Sequence, residues 1–216
     1  MKNIYNKKYA ESWIKNYESK KDVNRVKNLE PFIKKKINDL KPASKILDVG
    51  CGWGMVAKFL KQSHHYYGLD IPKTFLDYIK KIYPHPNLHL KFGKLPDKVD
   101  VENSYFDLVI ASMVLHVLPS FKKSINLLLK KTKPGGRVII VDFRDSLDLS
   151  YVFTNVIQND KKAIKGNFLS YSGEKMKAEV YYHREKEIEK FLKQKQLKFK
   201  KKYLGIAFVS YEITKD

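Results

Sequence analysis

The chain of 216 residues has one cysteine, Cys51, so no disulfide can form within it. No set of His, Cys, Asp and Glu has metal-ligand spacing, and no metal is expected. A reducing cytoplasm is the simplest setting for such a composition. No apolar run approaches the roughly 20 residues that cross a bilayer. The opening Met-Lys-Asn-Ile-Tyr-Asn-Lys-Lys lacks the apolar centre of a secretory signal, so neither a membrane nor export is expected. Arginine is scarce: Arg25, Arg137, Arg144 and Arg184 are the only four among 43 basic residues. The formal charge of +20 is therefore lysine spread through every segment. Bidentate phosphate and base contacts are arginine chemistry. The charge accordingly reads as a compositional bias on a solvated surface, densest at residues 34–36 and 198–202. An RNA or an acidic partner remains the alternative it leaves open. The length suits one domain with its own core, as a monomer or homodimer.

Ten glycines are present, and three fall within residues 50–54. Ile46, Leu47 and Val49 precede Gly50, Gly52 and Gly54, while Met55, Val56, Phe59 and Leu60 follow at helical spacing. The pattern predicts a buried strand, a tight turn and a helix. Glycine is required where φ is positive or where a side chain would collide with a ligand. Residues 66–70 read as a second strand ending in Asp70, eighteen positions beyond Gly52. An acid at that offset can accept both hydroxyls of a ribose. It could equally cap a helix beginning at Pro72.

Further strands are predicted near 45–49, 87–91, 106–110 and 136–142, with helices between them, the last strand fed by the turn Pro134-Gly135-Gly136. This alternation predicts a parallel sheet with helices on both faces. Residues 4–38 carry helical spacing, first through Tyr5, Tyr9, Trp13, Ile14 and Tyr17, then through Val26, Leu29, Phe32, Ile33 and Ile37. Residues 185–195 predict a helix. Residues 197–203 and 206–213 predict a hairpin that reverses at Leu204-Gly205 and adds one antiparallel strand. Four segments follow: 1–40, a helical cover; 41–142, the core; 143–184, an insertion; and 185–216, a closing helix and hairpin. Within the insertion, 146–158 looks partly helical, and 167–171 with 177–182 suggest an extra hairpin around Ser172-Gly173-Glu174. The insertion leaves the carboxyl end of the fifth strand, where ligands of open α/β sheets sit, so it is expected to cover a substrate.

The motifs of residues 45–142 occur in a fixed order. They are G-x-G-x-G two residues after Asp48, the acid-tipped second strand, Leu95-Pro96, the fourth strand running into Ala-Ser-Met-Val-Leu-His-Val-Leu at 111–118, and Pro-Gly-Gly before the fifth strand. Together they resemble class I S-adenosylmethionine-dependent methyltransferases, and within these the type 11 methyltransferases. The resemblance implies a Rossmann-like α/β fold: a seven-stranded, mostly parallel sheet with one antiparallel strand, helices on both faces and a helical N-terminal lid; the insertion after the fifth strand sets this chain apart. It implies S-adenosylmethionine as cofactor. Gly50, Cys51, Gly52 and Gly54 would pass its methionine part, with Asp48 orienting the turn. Asp70 would hold the ribose, Ile71 and Leu95 would flank the adenine, and Ser112 and Met113 would face the methyl group. The family often places an acid shortly before the Leu-Pro pair; here the segment reads Lys91-Phe92-Gly93-Lys94, which leaves that contact to main chain.

For the acceptor, His116 is the first candidate base and His183, within Tyr182-His183-Arg184, the second, because histidine titrates near neutrality. The alternative for each is a packed, hydrogen-bonded ring. Arg144 could clamp an acidic group on the acceptor or pair with Asp142 or Asp145. Trp13, Met113 and Tyr182 complete the expected substrate wall, with Tyr9 beside Trp13 in the lid. His64, His65, His85 and His89 read as structural. The function expected is methyl transfer to oxygen or nitrogen of a small metabolite. The alternatives are an RNA-modifying methyltransferase and a non-catalytic cofactor-binding subunit. No Asn/Asp-Pro-Pro-Tyr/Phe and no Pro-Cys follows the fourth strand, which argues against base methylation of RNA.

Overall fold

The computed structural model describes residues 6–20, 22–147, 153–159, 163–169 and 175–216. Helix α1 (Lys7–Glu18) starts where the Asn6 side chain accepts the Tyr9 N–H at 3.0 Å. Tyr5 lies outside the described residues. A π-helical turn, Arg25–Leu29, runs directly into α2 (Glu30–Asn38). The core follows as β1 (Lys45–Val49), β2 (His65–Asp70), α3 (Lys73–Ile82), β3 (Leu88–Phe92), β4 (Phe106–Ser112), α4 (Phe121–Lys131) and β5 (Thr132–Phe143). Strands β6 (Phe153–Asn159), β7 (Ala163–Leu169) and β8 (Lys175–Tyr181) form the insertion, and α5 (Glu185–Gln194), β9 (Lys198–Leu204) and β10 (Phe208–Thr214) close the chain.

Seven strands form one sheet in the order β3-β2-β1-β4-β5-β10-β9. All pair in parallel except β10, which runs antiparallel to both β5 and β9. The central strands are apolar without alternation because both faces are covered. Leu47, Val109 and Ile140 face Ile125 and Leu128 of α4 and Ile188 and Leu192 of α5. Ile46, Leu108, Ile110 and Ile139 face Leu29, Ile33 and Ile37 before and along α2, and Ile79 of α3. Each such side chain removed from water contributes roughly 1.5–3 kcal/mol, so the sheet is anchored through its middle three strands.

Three expectations are corrected. After Gly54 the helix shrinks to a single 3₁₀ turn, Ala57–Phe59, and Leu60 is already extended. Residues 55–64 are all that join the glycine turn to β2, which leaves room for one turn and the return. No helix lies between β3 and β4; Lys94 and Lys98 instead exchange backbone hydrogen bonds of 2.8 and 2.7 Å in a tight loop. Residues 153–158 are strand, not helix: Thr154, Val156 and Ile157 are β-branched, and β7 supplies the partner they need. The expected hairpin exists as β7 and β8, with Asn167 opposite Lys177. Residues 148–152 and 170–174, where the turn of that hairpin was expected, lie outside the described residues.

Candidate active site

The carboxyl ends of β1, β2 and β4 converge on a cavity of about 230 Å³. Asp70, at the tip of β2, faces the glycine turn. Its Oδ2 accepts the Gly52 N–H at 2.7 Å and its Oδ1 accepts the Ile71 N–H at 2.7 Å. It caps no helix, since Pro72 holds the N-cap position of α3 without a side-chain bond. A carboxylate offers about four lone-pair sites, so two remain for a ligand. Burial pushes the Asp70 carboxyl up to about 6, although the two backbone donors pull it down. Asp48 is 2% exposed and accepts the Tyr66 hydroxyl at 2.8 Å. Burial, with the nearby Asp70 charge, raises Asp48 to about 7. The Cys51 thiol is pushed well above its ordinary value, again mainly by burial, which leaves a neutral sulfur rather than a thiolate nucleophile.

The turn's glycines answer different demands. A Cβ on Gly50 (φ +74°) would stand 2.3 Å from Val114 Cγ2, so Gly50 is there to admit the loop after β4. A Cβ on Gly52 (φ +52°) would meet nothing within 4 Å. Gly52 opens onto the cavity and leaves its N–H aimed at Asp70. Gly54 does not line the cavity; a Cβ there would press on Ile79 of α3 at 2.7 Å.

Asp48, Gly50, Cys51, Gly52, Asp70, Ile71, Leu95 and Ser112 all line the cavity, as do Tyr9, Trp13 and Met113. Met113 sits at φ +59°, with its N–H bonded to Val141 O at 2.8 Å. Ser112 Oγ is buried with no hydrogen-bond partner among the described residues. His116 lines the same cavity and is held twice by Asp142: its backbone N–H meets Oδ2 and its Nδ1 meets Oδ1, both at 2.8 Å. An ionised carboxylate only accepts, so Nδ1 carries the proton and Nε2 is left as an acceptor.

Three expected acceptor residues lie outside the cavity wall. His183 Nε2 lies 2.9 Å from Leu115 O and 2.8 Å from Leu118 O, so that nitrogen is the donor and fixes the loop carrying His116. Tyr182 packs against Phe153, Ile164 and Val180 of the insertion. Arg144 pairs with neither Asp142 nor Asp145. Its backbone N–H continues the β5–β10 ladder to Ala207 O, and its guanidinium lies 4.2 Å from the Tyr203 ring centre. Asp142 is taken by His116, while Asp145 and Glu185 exchange bonds with each other's backbone N–H. No described residue of β6–β8 lines the cavity; the small sheet packs on Phe143 and Leu147 beside it. Sequence reasoning missed Arg25, Trp53 and Phe143 in the wall, and the role of Asp142. Trp53 lies inside the glycine motif itself, the one signal that could have found it.

The seven-stranded sheet with one antiparallel strand is the α/β fold of S-adenosylmethionine-dependent methyltransferases. Residues 47–140 match the family described as a methyltransferase domain. Among solved structures the chain is similar to the DhpI-SAM-HEP complex, with a TM-score of 0.70 and 13% identity over 95% of this chain and 94% of that one. It is likewise similar to the PH0226 protein of Pyrococcus horikoshii, at TM-score 0.67 and 19% identity over 89% and 90%. In sequence it is 30% identical to phthiotriol/phenolphthiotriol dimycocerosates methyltransferase of Mycobacterium leprae over 47% of this chain and 38% of that protein. It is also 30% identical to compactin diketide synthase mlcB of Penicillium citrinum over 52% of this chain and 5% of that one. The chain thus spans well under half the length of either relative.

The residues present fit an adenosyl sulfonium. Open space at Gly52 admits a ligand against the backbone, two acceptor positions of Asp70 suit a ribose, and Ser112 Oγ awaits a partner. Ile71, Phe75 and Leu95 supply apolar walls for a flat base.

Proposed function

We propose that the chain is an enzyme that moves a methyl group from S-adenosylmethionine to an oxygen or nitrogen of a small molecule. The observation that carries this reading is that the Asp70-anchored glycine turn and His116, itself held by Asp142, line one cavity. The bound cofactor supplies a methyl group on a positively charged sulfur, open to in-line displacement. The chain's own task is to hold two reactants in line and exclude water, a contribution of roughly 7–11 kcal/mol. Asp70, Gly52, Ile71 and Leu95 hold the adenosyl end. Trp13 and Tyr9 of α1 shield it, the Tyr9 ring meeting Phe75 of α3 edge-on at 6.4 Å. His116 Nε2 takes the acceptor's proton, while Asp142 keeps the ring oriented and steadies the charge it gains. Leu29, Met55, Val117 and Phe143 give the remaining wall an apolar character, which favours a compact, largely apolar acceptor. The M. leprae relative is by name a methyltransferase of a triol, which supports a hydroxyl as the acceptor.

Incubation with methyl-labelled cofactor and fractionated cell extract tests the proposal. Label is expected in the small-molecule fraction and is expected to vanish with His116→Ala. Label confined to RNA would overturn the choice of acceptor, and no demethylated product from any fraction would overturn the activity.

A further inference from the structure

Among the described residues one arginine lines the cavity, and it lies on the N-terminal segment rather than beside the fifth strand. Arg25 is 6% exposed and opens the π-helical turn, a local geometry often found at functional sites. Its guanidinium carbon lies 4.4 Å from the centre of the Trp53 ring and 5.9 Å from that of Trp13. Nη2 pairs with Asp22 at 3.2 Å, and Trp53 is itself stacked on Tyr17 at 5.0 Å. Aromatic faces and the ion pair fix the plane of a fork that presents five N–H donors. Beside it, Trp53 Nε1 is a buried N–H with no acceptor among the described residues. A native fold rarely leaves such a donor unmatched unless a ligand or water completes it.

A guanidinium and an indole N–H in one wall suit a planar monoanion with two oxygens. A phosphate dianion is a poor match for one cation with Asp22 on it and with Asp48 and Asp70 in the same cavity. We propose that Arg25 and Trp53 form a carboxylate-binding subsite of the cavity, an inference that rests on the methyl-donor reading above. The carboxylate can belong to the amino-acid end of the donor or to the acceptor, and both are recognised by the same fork.

Calorimetry with S-adenosylhomocysteine and with 5′-methylthioadenosine separates the sources. The second ligand shares the adenosine and the thioether and lacks the amino-acid carboxylate. Arg25→Met is expected to weaken S-adenosylhomocysteine about tenfold to a hundredfold, the value of a charge-assisted hydrogen bond. It should leave 5′-methylthioadenosine unchanged, which also reports an intact fold. Trp53→Phe keeps the ring stack, removes the N–H, and should act in the same direction with smaller size. Benzoate is expected to quench the tryptophan fluorescence of the S-adenosylhomocysteine-saturated parent; if both nucleosides bind Arg25→Met as before but this quenching is lost, the acceptor supplies the carboxylate. Equal weakening of the two nucleosides would reduce Arg25 to a prop for the wall and overturn the subsite. Unchanged binding of both nucleosides together with unchanged benzoate quenching would overturn it too. Parent protein that binds neither nucleoside would sink the donor reading instead.

Discussion

Gly50 and Gly52 lie two residues apart in the same turn, both at positive φ, yet their replacement by alanine should have opposite consequences. At Gly50 the new methyl would stand 2.3 Å from Val114 Cγ2. The left-handed backbone costs an L-residue roughly 1–2 kcal/mol, and overpacking adds about 1–3 kcal/mol. For a chain of this size each kcal/mol lowers the melting temperature by about 2–4 °C. Gly50→Ala should therefore lose about 4–20 °C, following those same costs. At Gly52 nothing lies within 4 Å of the new methyl, so only the backbone cost applies, about 2–8 °C. That methyl enters the cavity where a ligand would lie, and S-adenosylhomocysteine should bind at least about tenfold more weakly. Thermal denaturation followed by circular dichroism and calorimetric titration read the two effects separately. In a Val114→Ala background the extra cost of Gly50→Ala should fall to that of Gly52→Ala. If Gly52→Ala bound S-adenosylhomocysteine like the parent, or if Val114→Ala gave Gly50→Ala no relief, the division of roles in this turn would be wrong.

His116→Ala and Asp142→Asn should each lower kcat by about 10²–10⁴-fold while S-adenosylhomocysteine affinity stays unchanged; loss of donor binding in either would move the pair from acceptor chemistry to the cofactor. Asp48, ionising at about 7 in the folded chain against roughly 4 unfolded, binds its proton more tightly when folded. The parent should therefore lose stability relative to Asp48→Asn as pH climbs from about 4 to 7, and a difference that stays flat in paired chemical denaturation series would contradict the burial. Glu185, 5% exposed, accepts from Lys201 at 2.5 Å and Tyr203 at 3.0 Å. Glu185→Ala should cost about 1.5–3 kcal/mol without altering donor affinity, and a neutral effect on denaturation would show the network to be idle.

The central strands were legible because parallel, doubly covered strands are written as continuous apolar runs, and the glycine turn because its backbone needs leave little choice of residue. The distance from Gly52 to Asp70 carried over directly into a hydrogen bond. The short turn after Gly54 was misread as a helix because Met55, Val56, Phe59 and Leu60 have the right spacing; what forbids the helix is the short link to β2. Strand β6 was misread because Thr154, Val156 and Ile157 become a strand only beside β7, a partner that periodicity within the segment cannot reveal. Nearness in sequence offers Asp142 only as one possible partner of Arg144, whereas its partner is His116, 26 residues away and brought close because β4 and β5 are neighbours in the sheet. Arg25 stayed hidden for the same reason: its place in the wall depends on how the N-terminal segment folds over the sheet.

The account turns on Asp70 as the residue that binds the adenosyl donor through the glycine turn. Calorimetric binding of S-adenosylhomocysteine to the parent and to Asp70→Asn tests this most directly. An amide can no longer accept on both sides, so the variant should bind about tenfold to a hundredfold more weakly. Equal affinity of the two proteins would contradict the account.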